Sequence, residues 1–93
     1  MSTDSHRRLV VPDEVLTQDV GGEIVLLHVG TGVYYGLDAV GASIFNTVTT
    51  AESVPAACDT LLAQYDVELD RLRSDVETLV EKLTGLGLLE WKE

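Results

Sequence analysis

Tyr34-Tyr35-Gly36-Leu37-Asp38-Ala39-Val40-Gly41-Ala42-Ser43-Ile44-Phe45 changes its backbone period at one residue. From Val33 to Leu37 the chain is aromatic and aliphatic apart from Gly36, the composition of a short strand. From Asp38 onward Val40, Ile44 and Val48 recur at spacing four with Ala42 and Phe45 alongside, which predicts a helix over 38–48. Asp38 stands at the junction, where its carboxylate can accept a free amide of the first helical turn. Gly41 lies one turn in, at a cost of about 1 kcal/mol relative to Ala, and predicts close approach of another stretch of backbone. The β-branched run Thr47-Val48-Thr49-Thr50 predicts that the helix frays there.

Upstream of this junction, Val15 to Val20 is β-leaning, and Gly21-Gly22 supplies the positive-φ pair of a tight hairpin. Glu23 to Val29 follows with four consecutive apolar residues, Ile24-Val25-Leu26-Leu27, which predicts a central strand covered on both faces. Gly30-Thr31-Gly32 then turns the chain into Val33–Leu37, completing a meander of three antiparallel strands. Downstream, Ser53 caps a second helix with Pro55 in its first turn. Its apolar stripe is Val54, Cys58, Leu61, Leu62 and Tyr65. A third helix starts near Glu68 and carries Leu69, Leu72, Val76, Leu79, Val80, Leu83 and Leu86 until Gly85 or Gly87 stops it. At ~1.5 Å per residue it is roughly 25 Å long. Leu88-Leu89-Glu90-Trp91 forms a short closing segment. The order is an α+β domain: a three-stranded antiparallel sheet followed by three helices.

Ninety-three residues make one domain, with a tail over 1–8 that is expected to be disordered and a folded unit over 9–93. A core this small leaves little room for a deep active site. Sixteen acidic against six basic residues give a formal charge of -10, and nothing between Leu9 and Asp70 is Lys or Arg. Such a chain repels nucleic acid and anionic membrane surfaces, and its field favours neutral or cationic partners. Met1 to Arg8 shows no apolar run behind its charges, so no signal peptide is expected. No apolar segment approaches the ~20 residues that span a bilayer, and a cytoplasmic setting is expected.

Cys58 is the single cysteine, so no internal disulfide forms. A nucleophilic Cys58 competes with a small buried hydrophobe on the second helix's stripe, and no histidine lies near it in sequence. His6 falls in the tail, and His28 stands on a strand without a metal-spaced partner. Gly30-Thr31-Gly32 precedes a strand, not a helix, so it is no phosphate loop. These readings give no catalytic constellation, no metal site and no cofactor; the chain reads as a non-enzyme.

The stretch from Tyr34 to Phe45 resembles the aromatic-x-x-Leu-Asn/Asp-x-x-Gly-x-x-Ile-aromatic signature of the PqqD family, the relatives of pyrroloquinoline quinone biosynthesis protein D. These are also called precursor peptide recognition elements of ribosomally synthesised and post-translationally modified peptides. Leu61-Leu62-Ala63-Gln64-Tyr65-Asp66-Val67 resembles the family's Leu-x-x-x-Tyr-Asp-Val. Ser74 to Leu83, with Gly87-Leu88-Leu89 after it, resembles its last helix and ending. Asp38 stands where Asn is commoner and Phe45 where Trp is frequent. The length and the acidic third helix are most similar to the discrete leader-binding proteins of lasso-peptide pathways.

The resemblance implies a winged-helix-like domain that binds the leader segment of a precursor peptide as an added strand on the third strand, against the third helix. An open sheet edge supports that mode physically, because its unpaired amides and carbonyls can be completed by an extended peptide. The residues expected to carry it are Val33, Tyr34, Tyr35 and Gly36 on the strand and Leu72, Asp75, Leu79 and Lys82 on one flank of the helix. The partners then implied are the leader, a leader peptidase and a cyclase. A second reading is a PqqD-type peptide chaperone for a radical S-adenosylmethionine enzyme in quinone-cofactor or related biosynthesis. A winged-helix transcription regulator is the third, and the charge of -10 opposes it.

Overall fold

The computed structural model describes residues 8–92, and their elements run β1 (Arg8–Val10), β2 (Val15–Val20), β3 (Glu23–His28), β4 (Tyr34–Leu37), α1 (Ala39–Thr50), α2 (Val54–Gln64), α3 (Leu69–Gly85) and β5 (Glu90–Lys92). Gly21 and Gly22 hold φ of 64° and 92°, the left-handed pair that turns β2 tightly into β3. β3 pairs on its other side with β4, so the sheet order is β2-β3-β4, all antiparallel. The expected α+β architecture, a three-stranded sheet followed by three helices, is present.

A second sheet was not expected. β1 pairs with β5, with Leu9 opposite Trp91, and so joins the two ends of the described chain. The expected tail lies outside the described residues apart from Arg8, which opens β1. The short closing segment after α3 is the other half of this sheet.

One core unites the elements. Leu9, Leu26, Leu61, Val76, Leu83 and Leu88 are fully enclosed, and no polar or charged residue is buried among the described residues. The inner face of the three-stranded sheet, carrying Ile24, Leu26 and Leu37, joins the same cluster as Ala42, Ile44, Phe45 and Val48 of α1. β3 is not covered on both faces as its apolar run predicted. Val25 is half-buried and Leu27 exposed, because only the face bearing Ile24 and Leu26 meets the helices. Of β2 only Val15 is buried, so the β2–β3 hairpin projects as a wing.

The helix ends follow local chemistry. Asp38 Oδ1 accepts the Gly41 N–H at 2.8 Å, and Ser53 Oγ accepts the Ala56 N–H at 3.3 Å. A side chain at Gly41 would meet this Asp38 carboxylate at 3.3 Å and Leu37 at 3.4 Å. The close neighbours are therefore side chains of the cap and the preceding strand, not the backbone that was predicted. α1 also runs through Thr47–Thr50 instead of fraying. The hydroxyls of Thr47, Thr49 and Thr50 each donate to the carbonyl four residues back, which occupies them within the helix. α3 ends where Gly87 takes φ 76°; Gly87 N–H donates to Thr84 C=O and Leu88 N–H to Leu83 C=O. That pair of bonds, with Leu83 and Leu88 both enclosed in the core, is a Schellman stop.

Candidate functional site

The open edge of the three-stranded sheet is set by alternation. His28 N–H donates to Val33 C=O at 2.7 Å, so at that register step the backbone of β3 faces β4. Leu26 with Tyr35 and Ile24 with Leu37 continue the same phase. The intervening residues of β4, Tyr34 and Gly36, therefore turn their N–H and C=O groups away from β3, to an edge that no other strand among the described residues occupies. These are the backbone groups an extended peptide would complete.

Side chains alternate across that edge as well. Tyr35 is half-buried on the inner face, and the Lys82 ammonium lies 5.6 Å from its ring centroid. The strand and the flank of α3 that sequence reasoning named are thus brought together at Tyr35 and Lys82. Asp75 is exposed and Leu79 half-buried at spacings that place them on the same flank as Lys82. Leu72 is enclosed in the core and offers little surface. Val33 has both backbone groups engaged, its N–H donating to Thr31 Oγ1 at 3.3 Å, which leaves only its side chain for a partner. Tyr34 and Gly36 put their side-chain positions on the outer face, opposite Leu27 and Val25.

His28 braces the turn that enters β4. Its Nδ1 accepts the Thr31 N–H at 3.1 Å, and its Nε2 lies 3.5 Å from Glu14 Oε2. The strand residue without a metal-spaced partner is therefore a structural one, half-buried at the end of β3. Among the described residues no three His, Cys, Asp or Glu side chains gather where they could hold a metal ion. No helix among them is long and apolar enough to cross a membrane.

The opposite flank of α3 lines a second concavity with Cys58, Arg73, Glu77, Val80 and Trp91. Burial pushes the Cys58 thiol above its ordinary 9.0, Arg73 opposing and Asp59 and Glu77 adding to the rise. A thiol so placed stays protonated and serves as apolar wall, as the stripe position implied.

Sequence reasoning missed the outer face of the sheet. Leu16 lies opposite Leu27, and Leu27 opposite Tyr34, so three apolar side chains cross the sheet in a row on the face away from the helices. They are 58%, 37% and 69% exposed, and Val20 at the end of β2 is 57% exposed. Only the pairing register reveals this, since the residues are scattered in sequence and singly exposed apolar residues are ordinary.

Known proteins share this fold. A solved structure, TbiB1 in complex with the TbiA(beta) leader peptide, is similar over 87% of this chain and 94% of that one, with 32% identity and a TM-score of 0.80. A second, lasso peptide synthetase B1 complexed with the leader peptide, covers 92% of this chain and 99% of that one at 24% identity and a TM-score of 0.77, which is a likeness of fold. None of the curated proteins compared with the chain matches it. The family model for coenzyme PQQ synthesis protein D matches residues 23–89, from the start of β3 to the residue before β5, and the chain belongs to that PqqD family.

Proposed function

We propose that this protein is a non-catalytic adaptor that binds the leader of a ribosomally synthesised precursor peptide, in a lasso-peptide pathway, and delivers it to a leader peptidase and a cyclase. The observation that carries the reading is the unpaired β4 edge, where Tyr34 and Gly36 present backbone groups beside the Tyr35–Lys82 contact. An extended leader adds there as a fourth strand. Backbone pairing supplies affinity that any sequence can use, and alternate side chains meet the α3 flank formed by Asp75, Leu79 and Lys82, which supplies choice. Val33 and Leu72 support this site from the turn and the core.

The similarity to TbiB1, whose structure holds a leader peptide, supports leader binding, and the fold shared with lasso peptide synthetase B1 supports the lasso assignment. A Cys58 thiol that burial keeps protonated on the apolar stripe of α2 supports an adaptor without chemistry of its own. The reducing cytoplasm suits a chain with one free thiol. The family model's description favours a second reading, a peptide chaperone for a radical S-adenosylmethionine enzyme in quinone-cofactor biosynthesis.

Calorimetric titration with the synthetic leader of the precursor encoded beside this chain tests the proposal. One-to-one binding below about 1 μM is expected, with amide shifts confined to 33–36 and α3. No binding to that leader, or shifts centred on the Cys58 concavity, would refute the site.

A further inference from the structure

Three turns converge on one imidazole at the point where β4 begins. The His28 side chain is 12% exposed. It meets Glu14 from the turn before β2, Gly30 and Thr31 from the turn between β3 and β4, and Gly87 from the stop of α3. A side chain at Gly30 would come within 3.1 Å of the ring and one at Gly87 within 3.5 Å, so both glycines leave the space that the ring fills. Glu14 is tied to the same place by its backbone, whose C=O accepts the Val29 N–H at 2.8 Å. Inside the turn three hydrogen bonds close a circuit. Thr31 N–H donates to His28 Nδ1 at 3.1 Å, Val33 N–H to Thr31 Oγ1 at 3.3 Å, and His28 N–H to Val33 C=O at 2.7 Å. Tyr34, whose backbone faces the open edge, is the next residue, and α3 is the other wall of the cleft.

We infer that His28 is a positioning residue for leader binding: its neutral ring holds the entry of β4 against the end of α3, and a proton on the ring releases the turn and weakens the leader's hold. Nδ1 accepts the Thr31 N–H because it is bare, which leaves the ring hydrogen on Nε2, 3.5 Å from Glu14 Oε2. Protonation makes Nδ1 a second donor facing the Thr31 donor, and the circuit opens. The imidazolium is drawn instead to the Glu14 carboxylate, which gives the released form a partner. No other charge among the described residues faces the ring from the elements around it. Residues 29–33 and 83–89 carry none, and Val15 stands opposite His28 in the ladder. On the strand-addition reading, on which this rests, a leader pairs best with an ordered edge and so favours neutral His28. By linkage, acid then weakens the leader and the leader expels the proton.

Fluorescence anisotropy of the labelled synthetic leader encoded beside this chain, read from about pH 8 to about pH 5.5, tests this, because imidazoles change charge across that range. Wild-type affinity is expected to fall at least about fivefold at the acid end, the lower bound of ordinary coupling between sites. His28→Asn puts an amide oxygen near the Nδ1 position without a titrating group; it should bind like wild type at the alkaline end and stay flat. His28→Leu offers Thr31 no acceptor and should bind weakly and evenly throughout. Glu14→Gln should keep the alkaline affinity and need more acid for the same loss. In the free wild type, the Thr31 and Val33 amide resonances should move together with the His28 ring signals. His6, the other acidic side chains and the leader's own groups are common to wild type and His28→Asn, so parallel curves for these two overturn the inference. A Thr31 amide that stays fixed while the ring titrates overturns it as well. Tight wild-type binding that acid leaves unmoved overturns it alone, with the adaptor reading standing. A wild type that binds no leader at the alkaline end removes both.

Discussion

β1–β5 encloses what little it has: Leu9 is fully buried, its partner Trp91 is half-buried, and each strand is three residues long. β2–β3–β4 is longer and does the reverse, leaving an unpaired edge at β4 and an outer face with Leu16, Leu27 and Tyr34 in the open. Both sheets draw on the same core. The difference lies in where the helices stand. α1 covers one face of the larger sheet and leaves the wing beyond Val15 without a second layer. Edges in soluble proteins are usually short, charged or covered, because an exposed one templates further strands. The closed sheet follows that rule and the open sheet departs from it, and the open β4 edge lies within the family's matched segment.

The sharpest way to break this contrast is to truncate one leucine in each sheet. Leu9→Ala removes a fully enclosed side chain and is expected to destabilise the domain by about 2–5 kcal/mol in urea melts. Leu16→Ala, on the exposed row, should stay within about 0.5 kcal/mol. Equal losses would mean that the outer face is covered in solution.

The next largest effect separates the two sides of β4. Tyr34→Pro deletes an N–H that faces the open edge, whereas Tyr35→Pro deletes one that pairs with Leu26. The first is expected to weaken leader binding by about tenfold or more, with Tyr34→Ala as side-chain control, and to leave the thermal midpoint nearly unchanged. The second should cost about 1–3 kcal/mol of stability through the lost ladder bond and the orphaned carbonyl. The reverse pattern would shift the register by one residue and put the edge on other groups. A smaller effect tests the α3 side of the same cleft. Lys82→Met removes an exposed ammonium over Tyr35, and about 0.5–1 kcal/mol of stability or less should go with it. Leader affinity should fall several-fold if the pair orients Tyr35 for the peptide; an unchanged affinity would confine Lys82 to packing.

How legible these features are in sequence depends on the range of the interactions that make them. The junction from β4 to α1 is legible because the Asp38 carboxylate and the Gly41 amide are three residues apart, and the Schellman stop at Gly87 is equally local. β1–β5 is illegible because three-residue strands at opposite ends of the chain carry no pattern of their own. The apolar run Ile24–Leu27 marks a strand but cannot reveal whether a second layer lies above Val25 and Leu27, which is decided by where the helices pack. For the site, an open edge and a helical wheel were enough to bring Tyr35 toward Lys82. The row Leu16–Leu27–Tyr34 needed the pairing register, since shifting it by one residue would send Leu16 to the inner face.

The smallest expected effect belongs to the closed side, where Cys58 sits between α2 and α3 beside Trp91. Burial raises its thiol above the ordinary 9.0, outweighing Arg73, while Asp59 and Glu77 act in the same direction as burial. The folded chain therefore holds this proton more tightly than the unfolded chain does. The stability linked to it is complete below the unfolded value and is lost as pH rises from there through the higher folded value. All other titratable groups are common to wild type and variant, so the difference between the two profiles isolates the thiol. Urea midpoints followed from neutral pH to above 9.0 should thus fall more steeply for the wild type than for Cys58→Ala, which is less stable overall through its small cavity but does not titrate. Thiol labelling of the folded protein at neutral pH should be slow and should accelerate in urea in step with unfolding. Parallel pH profiles for the two proteins, together with fast labelling of the native state, would mean that the wall around Cys58 opens. The side of the molecule drawn here as closed would then be the second open one.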